Sequence, residues 1–231
     1  MKIIVIIPAH NERENIAQVV DNLRCNFPQY DYIVVNDGSV DDTADICRKN
    51  HYNIIDLPIN LGLSGAFQAG LQYANRNGYD AALQFDGDGQ HQAQYIKDMV
   101  ERMEDTGADI VIGSRFVTKR KPKSMRMVGS YLISWAMTLT TGERICDPTS
   151  GMRLFNKKMI EEFSFDANFA PEPDTISFLL RNGAKISEVQ VEMKERTAGV
   201  SYLNPINAVK YMTRMGMSIV IIQWFRKREE R

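Results

Sequence analysis

Several features that would define a protein class are scarce here. Cysteine occurs only as Cys25, Cys47 and Cys146, far apart and without C-x-x-C spacing. That pattern supports neither a disulfide framework nor a thiolate zinc site, and free thiols in a reducing compartment are expected. The histidines, His10, His51 and His91, are too dispersed to outline a zinc site. Neither sign of charge dominates, with 28 Lys and Arg against 29 Asp and Glu. Bulk electrostatic binding of nucleic acid is therefore unsupported. Only five apolar residues separate Lys2 from Pro8. A secretory signal needs about 7–15 and a small-residue cleavage site. No window reaches the roughly 18–20 unbroken apolar residues of a membrane span. A cytoplasmic protein is expected.

What is present is a regular alternation. Residues 3–7 form an all-apolar, mostly β-branched run, the mark of a strand buried on both faces. Residues 14–24 carry helical spacing, 32–35 form a second apolar run, and 41–49 a second helix. The pattern repeats through strand 53–57, helix 64–75, strand 81–85, helix 94–103 and strand 109–112. Such alternation predicts an α/β fold, an open and mostly parallel sheet with helices on both faces. Ligands bind such sheets beyond the carboxyl ends of the strands. The polar clusters fall there, at residues 8–12, 36–42, 86–91 and 113–115.

The chemistry is concentrated at Asp86-Gly87-Asp88, which follows a buried run and precedes Gln90 and His91. Two carboxylates separated by one glycine can turn toward one point. Oxygen donors of this kind suit Mg²⁺ or Mn²⁺, with substrate phosphates completing the coordination. A nucleotide diphosphate leaving group develops negative charge, which a divalent cation stabilises. Asn36-Asp37-Gly38-Ser39 ends another buried run. Asp37 is a candidate acceptor for a base or ribose hydrogen bond, whereas Ser39, Asp41 and Asp42 suit the capping of the next helix.

Five motifs occur in order: Pro8-Ala9-His10-Asn11-Glu12, Asn36-Asp37-Gly38-Ser39-x-Asp41-x-Thr43, Asn60-Leu61-Gly62, Asp86-Gly87-Asp88-Gly89-Gln90-His91 and Gly113-Ser114-Arg115. Together they closely resemble family 2 glycosyltransferases, in particular the dolichyl- and polyprenyl-phosphate sugar synthases, over about residues 1–200. The resemblance implies a Rossmann-like GT-A fold and inverting transfer from a UDP- or GDP-sugar. It implies that Pro8, Ala9, Glu12, Asp37, Gly62 and Asp86 contact the nucleotide, and that Asp86, Asp88 and Gln90 hold Mg²⁺ or Mn²⁺. Two positions depart from the usual pattern. Asn36 stands where the family often has aspartate, and Gly87 stands where alanine is frequent.

The second half bears on the acceptor. Asp147-Pro148-Thr149-Ser150-Gly151-x-Arg153 resembles the family's Asp-x-x-Ser-Gly segment near sugar and acceptor. Arg196-x-x-Gly199-x-Ser201 resembles the segment that closes over the donor. The resemblance implies catalytic roles for Asp88, Arg115, Asp147 and Arg196, and contacts to acceptor or phosphate from Arg115, Arg126, Ser150, Arg153 and Ser201. Arginine suits phosphate because its forked guanidinium makes charge-assisted bonds. A lipid monophosphate acceptor arrives already anionic and needs no general base. A hydroxyl acceptor needs one, for which Asp147 and Glu172 are the candidates.

Residues 118–126 carry five Lys or Arg, 128–140 look helical, 174–180 form a short helix and 185–193 a half-exposed strand. The chain is expected to divide into a transferase domain, 1–203, and a C-terminal amphipathic helix with basic tail, 204–231. That helix has a polar stripe, Asn207, Lys210, Arg214 and Ser218, on an otherwise apolar segment. It suits packing within the chain or across a homodimer, or seating on the anionic inner face of a membrane. The expected partners are a nucleotide-sugar donor, a polyprenyl phosphate or glycan acceptor, the membrane surface and a small membrane protein. A silent nucleotide-binding scaffold is the alternative of another class, against which the Asp86/Asp88/Gln90 set argues.

Overall fold

A computed structural model describes residues 1–122, 125–165, 170–194 and 205–221. The first half follows the predicted alternation. It runs β1 (Ile3–Ala9), α1 (Ile16–Asn26), β2 (Asp31–Asp37), α2 (Thr43–Lys49), β3 (Ile54–Leu57), α3 (Gly62–Arg76) and β4 (Ala81–Gln84). A single 3₁₀ turn, Ala93–Tyr95, leads into α4 (Ile96–Thr106), then β5 (Ile110–Ser114) and α5 (Met125–Thr141). The remainder is β6 (Arg153–Asn156), α6 (Lys157–Phe165), α7 (Pro173–Arg181), β7 (Ile186–Gln190) and α8 (Pro205–Val220).

The seven strands form one sheet in the order β3-β2-β1-β4-β6-β5-β7. All neighbours are parallel except β6, which runs antiparallel to both β4 and β5. Side chains alternate across a strand, so each residue of β1 commits to one face. Ile4 and Ile6 enter a core with Phe67, Leu71, Phe155 and Phe163 beneath α3 and α6. Ile3, Val5 and Ile7 enter the opposite core with Ile16, Val20, Leu23 and Met99 beneath α1 and α4. Burial on both faces explains why β1 reads as an unbroken apolar run.

The antiparallel β6 was not legible in the sequence, nor was α6. β6 is four residues long and begins with Arg153 inside what reads as a polar turn. Its direction matters for function. Arg153 pairs with Gln84 on one side and Ile112 on the other. The segment that precedes it, residues 147–152, therefore lies at the carboxyl ends of β4 and β5, the edge where ligands bind.

The C-terminal helix is part of the packed structure. α8 lies against α5 and α7, and its Met215 and Ile219 are fully buried in the first core. Of the polar stripe, Arg214 is exposed, but Ser218 is buried and donates to Asp174 Oδ2 at 2.7 Å. The side chains of Asn207 and Lys210 lie outside the described residues. Among the described residues, no helix is long and apolar enough to cross a membrane.

Candidate active site

Three loops at the carboxyl edge are joined by side chain to backbone bonds. The loop after β1 meets the loop after β2 through Asn11 N–H donating to Ser39 Oγ at 2.9 Å and Val40 N–H donating to Asn11 Oδ1 at 2.9 Å. Glu12 N–H donates to Thr43 Oγ1 at 2.9 Å and Arg13 N–H to Asp41 Oδ2 at 3.2 Å. Asp41 is thus a loop clasp. Burial pushes its pKa up, but the bonds from Thr43 and Arg13 outweigh this and hold it below the usual aspartate value. His10 Nδ1 lies 2.8 Å from Asp37 O, and Asn11 Nδ2 lies 3.1 Å from His10 Nε2. Asn60 Nδ2 lies 3.0 Å from the same Nδ1, so the ring links the loops after β1, β2 and β3.

Asp37 is buried, and its Oδ1 accepts the Leu61 N–H at 2.7 Å. It therefore ties the loop after β3 to the loop after β2. Gly38 between them has φ +60°, and a Cβ there would lie 2.5 Å from Asn60 N. Only glycine suits such a left-handed turn pressed against backbone. The departure at Asn36 also has a local reason. Asn36 is buried and its Nδ2 donates to Asp56 Oδ1 at 2.6 Å. Aspartate there would set two carboxylates against each other, whereas asparagine donates.

The acidic motif follows β4 directly, beside the end of β1 where strand order reverses. A Cβ on Gly87 would lie 3.1 Å from Pro8 O, so alanine at this position would press on the end of β1. The Asp86 N–H donates to His91 Nδ1 at 2.9 Å, so the neutral His91 ring carries its proton on Nε2. That nitrogen lies 3.5 Å from Asp86 Oδ2. His91 itself is buried edge-on against Phe85. It therefore orients Asp86, a role the sequence only hinted at through adjacency. The Gln90 N–H donates to Asp88 Oδ1 at 3.0 Å, and Gln90 Nε2 donates to Lys194 O at 3.3 Å.

Among the described residues no group of three His, Cys, Asp or Glu side chains could enclose a metal. Two hard oxygen donors beside an open edge fit Mg²⁺ or Mn²⁺ all the same. Those ions commonly take one or two carboxylates and complete their shell with substrate phosphate and water. Asp86, with about a third of its side chain exposed, can reach a ligand.

Residues 113–153 close the site from the other side. Arg115 Nε and Nη2 grip Asp147 at 2.6 and 2.8 Å, and the Arg115 N–H adds a third bond at 3.1 Å. The Asp147 side chain is fully enclosed. The N–H groups of Asp147 and Cys146 donate to Glu188 Oε1 and Oε2 at 2.9 and 2.7 Å. Ser150 Oγ donates to Gly113 O at 2.5 Å. Arg153 is buried, and its guanidinium donates to the carbonyls of Ser150, Pro148 and Pro171. Burial lowers its pKa, against the pull of Tyr211, Glu172, Asp147 and Asp86 around it.

These contacts give the motif residues partners that the sequence alone does not show. Arg153 and Ser150 spend their donors on main-chain carbonyls, so here they brace the loop rather than face an acceptor. Both Asp147 oxygens accept bonds from Arg115. The loop they brace does reach the acidic motif. Gly151 lies against Asp86, where an added Cβ would sit 2.9 Å from Oδ2. Arg196, Ser201 and the side chain of Arg126 lie outside the described residues.

The sheet order, the reversed β6 and the acidic motif beside the strand-order switch define a GT-A glycosyltransferase fold. Residues 4–164 match the glycosyl transferase family 2, and the chain belongs to that family. It is 30% identical to the polyprenol monophosphomannose synthase of Mycolicibacterium smegmatis, over 88% of this chain and 82% of the relative. It is also 30% identical to the undecaprenyl-phosphate mannosyltransferase of Micrococcus luteus, over 94% and 95%. Among solved structures, the glucosyl-3-phosphoglycerate synthase of Mycobacterium tuberculosis, in complex with Mn²⁺, UDP and phosphoglyceric acid, superposes with a TM-score of 0.71 at 18% identity. That superposition covers 99% of this chain and 80% of the other.

Proposed function

We propose that this protein transfers one hexosyl unit from a UDP- or GDP-sugar to polyprenyl phosphate with inversion at the anomeric carbon. The observation that carries this reading is the junction of the two halves, where the 147–151 loop folds against Asp86 through Gly151. Donor loops and acceptor-side loop thereby meet at one point. Pro8, Ala9, Glu12, Asp37, Gly62 and Asp86 are assigned to the nucleotide. Asp86, Asp88 and Gln90 are assigned to Mg²⁺ or Mn²⁺, which when bound neutralises the charge of the departing diphosphate. A phosphate oxygen of the acceptor forms the new bond to the anomeric carbon. The bond to the nucleoside diphosphate breaks, and its electron pair leaves with the diphosphate. No proton has to be removed from an acceptor that is already an anion, so positioning and charge stabilisation suffice.

Arg115 and Arg126, with Arg196 and Ser201, are assigned to the phosphates of donor and acceptor. In this reading the protein works at the inner face of the membrane, with α8 and the basic tail, or a small membrane protein, holding it there. The test is nucleotide release from a panel of UDP- and GDP-sugars with Mn²⁺ or Mg²⁺, with and without short polyprenyl phosphate in detergent. The names of the relatives make mannose the first sugar to try. Strong stimulation by the lipid with a single donor is expected. Release indifferent to the lipid would move the acceptor assignment to a saccharide.

A further inference from the structure

We propose that Glu188 on β7 is a positioning residue for sugar transfer: by holding the backbone at Cys146 and Asp147 it sets the Arg115 guanidinium on the acceptor side of the site. The inference rests on the reading above and names a residue that none of the sequence motifs contains. The period of the strand puts Glu188 where it can act. Val189 and Val191 enter the second core, so Glu188 and Gln190 turn to the opposite face. β7 pairs with β5, with Glu188 beside Ile112 and Gln190 beside Ser114. Both side chains therefore stand toward the carboxyl end of β5, next to the loops that carry Arg115 and Asp147. Each takes hold of one loop. Glu188 Oε2 accepts the Cys146 N–H at 2.7 Å, and its Oε1 accepts the Asp147 N–H at 2.9 Å. Gln190 Nε2 donates to Arg115 O at 3.0 Å, and its Oε1 accepts the Thr118 N–H at 2.8 Å. The fork of Arg115 on Asp147 then closes a ring. Arg115 is thus fixed twice from β7, at its backbone by Gln190 and at its guanidinium by Glu188 acting through Asp147.

The chemistry at this point calls for a carboxylate. Two successive N–H groups need two acceptor atoms, and an anion strengthens both bonds. The amide of the same shape offers one acceptor and turns a donor toward the other N–H. A carboxylate that served only solubility would face water, whereas Glu188 is half-buried and has both oxygens on one loop. The Cys146 thiol leans on the same group: burial first, and then the charge of Glu188 and a hydrogen bond to it, push its pKa up. The 146–147 backbone therefore keeps its place only while Glu188 accepts from it. Asp147 has no freedom of its own, because its side chain is enclosed and carries the Arg115 fork. A shift of that backbone becomes a shift of the guanidinium.

The test compares wild type, Glu188→Gln, Arg115→Met and the double variant. Amide hydrogen exchange is read at residues 146 and 147. Transfer is read with Mn²⁺, the nucleotide sugar that the wild type uses, and citronellyl phosphate as acceptor. Glu188→Gln should speed exchange at one or both amides by about tenfold, the scale of a lost charge-assisted bond. It should raise the KM for citronellyl phosphate by about tenfold and leave the KM for the donor within about twofold. In the Arg115→Met background the same substitution should change the acceptor KM by less than about twofold, because the group it positions is gone. A residue that only supports the fold would raise both KM values together or act equally in both backgrounds. Either result would overturn the inference and leave the proposed reaction standing, as would an acceptor KM unchanged in Glu188→Gln. Transfer to a saccharide and not to the phosphate would overturn the proposed acceptor alone, and the same two comparisons made with the saccharide would decide the role of Glu188. Absence of transfer to any acceptor would overturn the proposed reaction and this inference together.

Discussion

The two halves of the molecule use polar residues differently. In residues 1–95 the polar clusters sit on loops that tie to one another at the sheet edge. Asn11 meets Ser39 and Val40, and Asp37 meets Leu61, while Asp86 and Asp88 stay near the surface. In residues 113–194 the charged residues of the motifs turn inward. Asp147 and Arg153 are buried, and Arg115 spends its fork on Asp147. The first half presents its chemistry; the second uses much of its charge to hold a loop against that chemistry. A motif residue can be essential in either way, and only its partners distinguish the two.

The contrast is sharpest for Asp88 and Arg115. Asp88→Ala removes a carboxylate assigned to the cation and should lower turnover by about a thousandfold. Its unfolding curve should lie within about 1.5 kcal/mol of wild type, the scale of a lost hydrogen bond such as that from the Gln90 N–H to this half-buried carboxylate. Steady-state kinetics with Mn²⁺ titration and a parallel denaturant melt check both halves of that statement. Arg115→Met should lower turnover, through its assigned phosphate contact, and should lower stability as well. It strands the enclosed Asp147 carboxylate and should cost about 3 kcal/mol of stability, near the lower end for a broken buried pair because Arg115 is partly exposed. Arg115→Met combined with Asp147→Leu should recover part of that loss, because no unpaired charge remains. A double variant less stable than Arg115→Met alone would contradict the bracing role.

Gly151→Ala probes the junction and should have the smallest effect. Its Cβ would press on Asp86 Oδ2 and approach His91 Cε1 at 3.4 Å. Displacing a metal-side carboxylate by a fraction of an ångström should lower kcat by about tenfold, with stability changed by less than about 1 kcal/mol. Unchanged kcat would show that the loop does not govern Asp86.

These differences also mark what could be read from the chain. Elements β1 to β5 and their helices were legible because buried parallel strands are continuous apolar runs and the helices between them have a 3.6-residue period. The acidic motif was legible because it follows such a run. β6 was not, since four residues beginning with a buried arginine resemble a turn, and nothing local reports strand direction. The partners of Arg115, Asp147, Ser150 and Arg153 depend on that insertion. Their inward role became visible only once β6 brought residues 147–152 to the sheet edge. His91 and Glu188 illustrate the same limit, because each takes its meaning from the groups it faces.

The most direct test of the whole account is identification of the product. Wild-type protein would be incubated with each nucleotide sugar, Mn²⁺ and a short polyprenyl phosphate, and the lipid fraction analysed by mass spectrometry and NMR. The account predicts a single sugar joined to the lipid through one phosphate, with its anomeric configuration inverted relative to the donor and one nucleoside diphosphate released per sugar. Sugar attached to a hydroxyl, or retained configuration in the lipid product, would contradict it.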